Sequence, residues 1–597
     1  MQITYLDGNR FKRALIAGSR RVQEYRDQLN RINVFPVADS DTGTNMGLTL
    51  QALTKGIVRS KNKSLPVVSR TAADAALSGA RGNSGTILSQ FLYGLTIGIQ
   101  NRKRINTKAF GRIVRDAVDY TYQALAEPVE GTILTVLRVW AEQLIEKSHS
   151  TADFGKLLRE TLGSAKSALR QTRRKLPSLS KAKVVDAGAL GLVHLIEGIV
   201  NFIEGGRIRE LEKSADIELS ESMAVAHIEE DLTYRYCTEC LIEGQQIEHT
   251  ALRRKLSSMG DSLIIAGSHL NTKLHIHTDE PGKVFRVARE YGVLSDQKID
   301  DMHKQYAASH DVRTNIAVVV DSACDLPLDV LEKDFVHMVP VKVLFGEETY
   351  IDKIALKPST FYELLRSRPD VIGTTSQPAP ADFQKVFTFL GDHYEHVVYI
   401  ALSGGLSGTI KSAYSALERL RRKDSVHIVD SKSVTIGSGL IARRVIEAVE
   451  QGMNIEALLE FAESLIRRTR LLITIPSLSA LLRSGRLSRA KGAVAGLLKL
   501  RPLLTLDSQG RVIKATMVRG ADKGKDKILS MIRRDVGEGE KSDFAIAHVD
   551  SVSLGAWFRE RIMEEFETQR EVFVQDASPA LALHTGFGTA AVAYFKP

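Results

Sequence analysis

The sequence predicts a multidomain chain with an all-α segment first, a small α+β unit in the middle and an α/β segment last. Three observations predict it. Apolar residues recur at helical spacing through residues 10–200, short β-rich runs interleave with two helical patterns before about residue 310, and strand and helix patterns alternate from there to residue 597. At roughly 150 residues per domain, 597 residues suggest three to five folding units. Hydrophobic residues make up 43% and charged residues 25%, which excludes wholesale disorder.

The helical segment is read from RALIAGSRRVQEYRDQL, GRIVRDAVDYTYQAL, TILTVLRVWAEQLIEK and LGLVHLIEGIVNFIEG, separated by Gly, Pro and Asx loops. From about 205 to 225 the text turns charged and non-periodic, as a connector does. The α+β unit follows, with strands in RYCTECLIEG, SLIIAGS and KLHIHT and helices in ALRRKLSSMG and KVFRVAREYG. In the last segment IAVVVDS, HMVPVKVLF, HVVYIALS and SVHIVDS are apolar runs followed by helical patterns, which predicts a mainly parallel sheet covered by helices. LLTLDSQGRVIKATMV reads as a hairpin turning at Asp507 to Gly510, and FAIAHVDS followed by LGAWFRERIMEEF restarts the β-then-α pattern in a second sub-domain.

The 81 lysines and arginines against 71 acidic residues leave a formal charge of +10, an excess that favours anionic ligands or membrane surfaces. Arginine runs in RSGRLSRAKG and LIRRTRLL lack interleaved aromatics, so they read as a docking face for another domain or for anionic lipid, and not as a nucleic-acid surface. Three cysteines are too few for a disulfide framework and point to reduced thiols. With no apolar N-terminal stretch and no run of 18 uninterrupted apolar residues, a cytoplasmic protein is expected.

The densest chemistry lies in NVFPVADSDTGTNM at 33–46. Asp39 and Asp41 bracket one residue and can face a common Mg²⁺, with Asn33 as a third oxygen, and Thr42, Gly43, Thr44 and Asn45 open the next helix with free backbone N–H groups. A second loop, GARGNSGTILSQ, repeats that grammar with Gly82, Asn83, Ser84 and Gly85. Thr132 in PVEGTILTV and Asp186 and Gly188 in VVDAGALGL mark further helix starts; ordinary capping accounts equally well for Thr132. In the middle unit Cys237, His275 and His277 form a soft-plus-imidazole set, the two histidines sharing a strand face by the period of two, with Cys240 as an extra candidate. A Zn²⁺ site, two core-edge histidines beside a buried thiol, and a catalytic part for His275 or His277 as base or phosphoryl-site ligand all remain open.

These motifs, in this order, resemble the ATP-binding domain of the dihydroxyacetone kinase family in the version found in bacterial fatty acid kinases, over residues 1–205. Ala38 and Ser40 stand where that version usually carries Pro and Gly, Glu127 replaces a Lys, and Ala189 replaces a Gly. The resemblance implies a barrel of eight helices that binds Mg·ATP between acidic residues and glycine loops, with Asn33, Asp39 and Asp41 on the metal. YRYCTEC and KLHIHTDEPGKVF are similar to the middle domain of the same kinases, placed at 216–308, and raise the Zn²⁺ reading.

From 314 to 597 the chain resembles the DegV family of fatty acid-binding proteins through VVDSACDLP, TTSQPAPADF, LSGGLSGTIKSAYSAL, VDSKSVTIGSGL, LLRSGRLS and LHTGFGTAAVA. That implies a two-part α/β domain holding an acyl chain, its carboxylate gripped by Thr375, Ser376, Ser403 and His584, with Arg519 as a nearby cation. Together the resemblances imply a fatty acid kinase that transfers the ATP γ-phosphoryl to a bound fatty acid. A non-catalytic lipid-binding regulator that senses nucleotide, and a kinase of small hydroxy compounds, are the alternatives. Expected partners are a fatty acid, a membrane surface or membrane acyltransferase, and a second copy in a homodimer, without nucleic acid.

Overall fold

The computed structural model describes residues 2–205, 232–420, 422–486 and 500–597, in two compact units, Met1–His310 and Asp311–Pro597. The expected connector at 205–225, the start of the middle unit at 216 and residues 487–492 of the arginine run lie outside the described residues.

The first unit opens with ten helices: α1 (Gly8–Glu24), α2 (Arg26–Arg31), α3 (Thr42–Arg59), α4 (Leu65–Gly79), α5 (Gly82–Ile99), α6 (Thr107–Ala124), α7 (Ile133–Ser148), α8 (Phe154–Lys175), α9 (Pro177–Ala182) and α10 (Ala187–Gly205). Their starts are encoded locally. Asp7, Asn106, Thr132 and Asp153 each accept an N–H of the first turn of their helix, satisfying donors that have no partner inside it. The eight long helices pack in the cyclic order α1, α3, α4, α5, α6, α7, α8, α10, and α10 closes back on α1. Leu50, Leu53, Val114, Leu137, Leu144 and Val193 fill the interior of the ring, each fully buried and each stabilising the fold by about 1.5–3 kcal/mol before cavity terms. Helix α10 is long and apolar enough to cross a membrane, but 72% of that stretch is buried inside this unit.

The middle unit is a four-stranded antiparallel sheet in the order β2 (Asp261–Gly267), β3 (Asn271–Thr278), β1 (Tyr236–Glu243), β4 (Val293–Asp301), with helices α11 (His249–Leu256), α12 (Pro281–Arg289) and α13 (Met302–His310). Strand β4 is an addition to the expected elements: VLSDQKIDD carries too many charges to read as a strand, and it forms because a ladder with β1 satisfies its backbone. The sheet belongs to the helical ring. Leu241, Ile264 and Ala266 join the ring's core, and the Gly267 N–H donates to Gln90 Oε1 of α5 at 2.7 Å.

The second unit holds two main sheets. In the first, strands Val426–Asp430, His396–Ala401, Ile316–Asp321 and Val336–Val339 run parallel in that order, as the apolar runs predict. The second corrects the parallel expectation. Its order is Val512–Arg519, Leu500–Leu506, Thr469–Thr474, Ala590–Phe595, Phe544–His548, Phe573–Asp576, and only the last pair is parallel. The physical reason is the chain's C-terminal strand, AAVAYF, which enters between two others and reverses both pairings. The hairpin through Asp507 to Gly510 forms as expected. A small antiparallel sheet of Glu348–Ile351, Lys342–Phe345 and Gly373–Ser376 carries Thr375 at its edge.

Candidate functional site

In the first unit the loop between α2 and α3 gathers the expected oxygen ligands. Asn33 Nδ2 donates to Asp39 Oδ1 at 2.6 Å, and Asn33 Oδ1 accepts from the Thr42 hydroxyl at 2.9 Å. Burial holds the Asp39 carboxyl well above its usual range, and the neighbouring Asp41 pushes it further, with Asp300 of β4 adding to the effect. Asp41 stands at the N-cap of α3 but its carboxylate does not cap. Acidic groups that oppose each other's ionisation in one pocket form a place where a hard cation is favoured, and the donor set of Asn33, Asp39 and Asp41 fits Mg²⁺.

The loop grammar brings three helix starts together. Gly82 has φ +59, and a Cβ there would meet Asn45 Nδ2 of α3 at 2.5 Å; a Cβ on Gly188 of α10 would meet Ser84 Oγ of α5 at 2.6 Å. Asn45 Oδ1 and Asn83 Oδ1 are buried and without partners among the described residues, acceptors left for something outside the chain. Other expected nucleotide contacts are already engaged. The Thr44 N–H donates to Asn30 Oδ1, and the Gly82 N–H donates to Glu239 of β1. Gly85 takes its place because a Cβ would meet Thr49 Oγ1 at 2.4 Å, while Gly43 lies under the Arg26 carbonyl.

Thr132 and Asp186 are caps. The Thr132 hydroxyl donates to the Val129 carbonyl and accepts from Leu134 N. Asp186 is buried, which pushes its carboxyl up to about 7, and it accepts backbone N–H groups of Ala189 and Ile133, stapling α10 to α7.

In the middle unit the antiparallel register puts Cys237 opposite His277 and Glu239 opposite His275. On the other side of β1, Cys237 faces Asp300 and Glu239 faces Lys298. The ligand atoms of Cys237, His275 and His277 lie within 4.8 Å of one another, and all three residues are buried. Burial, helped by the charge of Glu239, pushes the Cys237 thiol well up, and burial holds the His275 imidazole down at about 4, so the ring is neutral. His277 Nδ1 is 3.2 Å from Asp261, and His275 Nδ1 is 3.2 Å from Glu239 and 3.8 Å from Cys237 Sγ, while His275 Nε2 is buried without a partner among the described residues. A neutral imidazole with one nitrogen tied to a carboxylate and the other open is how a metal-ligating histidine is held, and a Cys/His₂ set fits Zn²⁺. Cys240 is excluded from the set: it pairs with Leu274 on the opposite face of the sheet.

The carboxylates and lysines around this set, Glu239, Asp300, Lys273 and Lys298, are not singled out by any sequence motif. The period of two that joins His275 to His277 also joins Lys273 to them and Glu239 to Cys237, so alternation is the signal that finds Lys273 and Glu239.

In the second unit, the structure brings Thr375 and His584 together: Thr375 Oγ1 is 3.0 Å from His584 Nε2. Burial and the charge of Arg486 hold the His584 imidazole down at about 4. Arg486, from the run expected to form a docking face, lies close enough to His584 for its charge to act on the imidazole. The helix Pro579–Thr585 that carries His584 is anchored at its start, where Asp325 Oδ1 accepts from Ser578 N at 3.1 Å and Asp352 Oδ1 accepts from Ala580 N at 3.3 Å. Three expected residues do not join the pair. Ser376 is exposed, its hydroxyl donating to the Gln377 carbonyl, because successive strand residues face opposite sides. Ser403 is fully buried and donates to the Gly510 carbonyl at 2.8 Å while accepting from Gly405 N. Arg519 is exposed at the end of its strand.

Three family models match the chain in succession. Residues 36–201 match the DAK2 domain, residues 233–309 the FakA-like middle domain of fatty acid kinase, and residues 315–597 the DegV family of uncharacterised proteins. An uncharacterized protein of Staphylococcus saprophyticus is 33% identical over 312 residues, 51% of this chain and 56% of that protein. One of Staphylococcus aureus strain USA300 is 33% identical over 314 residues, 51% of this chain and 57% of that protein. The chain thus spans little more than half the length of these curated relatives. Among solved structures, a DegV family protein from Thermus thermophilus described by its fatty acid binding is 29% identical with a TM-score of 0.45, covering 47% of this chain and 100% of that one. DegV of Bacillus subtilis, described as a fatty acid binding protein, is 27% identical with a TM-score of 0.44, covering 48% and 100%. The chain therefore carries, in this order, a DAK2 domain, a FakA-like middle domain and a DegV domain.

Proposed function

We propose that this chain is a fatty acid kinase whose nucleotide site and fatty acid site share one polypeptide. The observation that carries the reading is the coexistence of the opposed Asp39 and Asp41 carboxylates beside the glycine loops with the Thr375 and His584 pair of the DegV domain. Asn33, Asp39 and Asp41 would hold Mg²⁺, and Cys237, His275 and His277 would hold Zn²⁺. Magnesium would offset the charge of the transferring phosphoryl group.

The chain's own residues do the rest by positioning. Asn33 orients Asp39 and is itself oriented by Thr42; the starts of α3, α5 and α10 would cradle the polyphosphate with backbone N–H groups and the Ser84 hydroxyl, while the unpartnered Asn45 and Asn83 carbonyl oxygens would meet a cation or a ribose hydroxyl. Thr375 and His584 hold the fatty acid head group, supplying hydrogen bonds from groups with no permanent charge, so the carboxylate keeps its nucleophilicity. One carboxylate oxygen attacks the γ-phosphorus, the bond from γ-phosphorus to the β,γ-bridging oxygen breaks, and ADP leaves with that electron pair. No proton has to move, so the reaction asks nothing of His275 or His277 as a base. The +10 charge suits a protein that works in the cytoplasm and collects or delivers its acyl cargo at an anionic membrane surface.

The test is to incubate the full chain with Mg·ATP and oleate and trap acyl phosphate as the hydroxamate with hydroxylamine. Oleoyl hydroxamate that requires ATP, Mg²⁺ and protein together supports the reading. ATP and oleate binding without hydroxamate would overturn catalysis in favour of a nucleotide-sensing lipid carrier.

A further inference from the structure

Glu239 occupies a costly place. It is fully buried, and a carboxylate taken out of water is tolerated only where several partners hold it. Its partners come from both domains of the first unit. Oε1 accepts the Gly82 N–H at 2.6 Å and lies 3.2 Å from His275 Nδ1. Oε2 lies 3.2 Å from Lys273 Nζ, itself fully buried, and 3.8 Å from Arg81. Lys298 completes the cage at 3.9 Å from Oε1. Three cations gathered around one buried carboxyl make the surroundings of a carboxylate.

One carboxylate oxygen thus touches two things that belong to different chemistries. His275 is one of the three clustered metal-ligand candidates, and its Nε2 has no partner among the described residues. Gly82 is the turn, at φ +59, that opens the second glycine loop and the helix α5. We infer that Glu239 is a positioning residue that couples the Cys237, His275 and His277 metal centre to the glycine loop, so that the metal state of the middle domain sets how well the helical domain binds a nucleoside triphosphate. The inference rests on the reading of the two sites given under Proposed function and adds the link between them.

The coupling runs through the imidazole. With Nδ1–H given to Glu239 at 3.2 Å in preference to Cys237 Sγ at 3.8 Å, Nε2 would be the nitrogen open to a cation, and a cation held there would make Nδ1–H a stronger donor. Glu239 is then drawn to a single position, from which Oε1 fixes the direction of the Gly82 N–H and with it the turn. Without the cation, His275 is free to exchange tautomers; in the other one Nδ1 carries no proton, faces the carboxylate with a lone pair and releases it. While Glu239 is held, the Gly82 N–H is spent on it, so it anchors the loop instead of contacting phosphate, which leaves the following amides for the ligand. Coupling between two sites through such an element is reciprocal, and commonly lies between about five- and 150-fold in affinity.

The experiment measures binding of Mg²⁺·AMP-PNP to the full chain by calorimetry, before and after removal of zinc with 1,10-phenanthroline and with Mg²⁺ kept constant. In the unaltered protein, zinc removal should weaken AMP-PNP about tenfold, and hydrogen exchange of the amides at 80–86 should quicken to match. In Glu239→Gln, which keeps the shape and loses the charge, zinc removal should change the affinity by less than about twofold. Glu239→Gln combined with Lys273→Met removes both members of the buried pair and serves where the single variant does not fold. A tenfold response that persists in these variants, or no response in the unaltered protein, overturns the coupling while leaving the nucleotide site standing. Failure of zinc-replete unaltered protein to bind AMP-PNP overturns the nucleotide reading and this inference with it.

Discussion

Around Glu239 and Asp39 the first unit packs carboxylates, lysines, an arginine and two histidines against one sheet face and one loop, many of them fully buried. Around His584 the second unit offers one hydrogen bond to Thr375 and one cation in Arg486. On the proposed reading, a region for multivalent cations and a polyanion has to store opposed charges and keep them from collapsing on one another. A region for a single carboxylate on an apolar tail would need only a polar corner. The contrast predicts that charge substitutions act on chemistry in the first unit and on affinity in the second.

The largest effect tests the first half of that contrast. Asp41→Asn should lower ATP turnover by at least about a thousandfold, because metal-assisted charge neutralisation supplies several kcal/mol of the barrier reduction. The same change should raise the stability of metal-free protein. Asp39 has a folded pKa raised above its unfolded value, so its ionisation costs stability as pH rises past the unfolded value, and removing the Asp41 charge relieves that cost. Oleate affinity should not move. Turnover within tenfold of the unaltered protein would break the comparison at its strongest point.

The second effect is smaller and separates head group from tail. His584→Ala should weaken oleate by about 1.5–3 kcal/mol, one to two decades, and oleyl alcohol by much less, since only the acid brings a charge to stabilise. Titration calorimetry with both ligands decides it. Equal losses would mean that His584 contributes packing alone, and would make the two regions less different than their residues suggest.

A third effect is a matter of pH. The His584 imidazole is held at about 4, below its unfolded value near 6.5, so below pH 6.5 the unfolded chain takes up a proton that the folded one refuses. The second unit therefore loses stability as pH falls from 6.5 to 4, by less than about 3 kcal/mol given the partial exposure of the ring. His584→Gln should flatten that slope in urea melts, and bound oleate should shrink it by favouring the imidazolium. A slope unchanged by the substitution would assign the acid sensitivity to other groups.

More of the fold than of the sites is legible in the sequence. The ring of eight long helices can be read because each one repeats its apolar residues at three and four, and the parallel sheet because VVVDS-like runs are buried on both faces. Of the antiparallel sheet only the hairpin through Asp507 to Gly510 can, since AAVAYF reads the same whichever neighbours it pairs with. Asp39, Asp41 and Asn33 are legible as a set because they lie within nine residues. Glu239 is legible only as a neighbour of Cys237 on one strand face: its partners Gly82 and His275 are 157 and 36 residues away, and nothing local says that it joins them. Ser403 and Ser376 depart from their expected places for the same reason, because a motif names residues without saying which way a hydroxyl points.

The smallest effect concerns Ser40, between the two carboxylates. Its φ is +55, in the left-handed region that costs an ordinary residue roughly 1–2 kcal/mol and glycine nothing. The fatty acid kinases that this loop resembles usually carry Gly there. Ser40→Gly removes that strain and returns part of the gain as extra freedom of the unfolded chain, which costs about 0.5–1 kcal/mol. The net stabilisation should be about 0.5 kcal/mol, visible as a small rise in the urea midpoint with an unchanged m-value. Turnover should stay within about twofold, because Asn33 and Thr42 already hold Asp39 independently of the Ser40 side chain. A fall in turnover with no gain in stability would show that the strained serine contributes its hydroxyl to the charged site. The first unit would then depend on neutral donors as the second does.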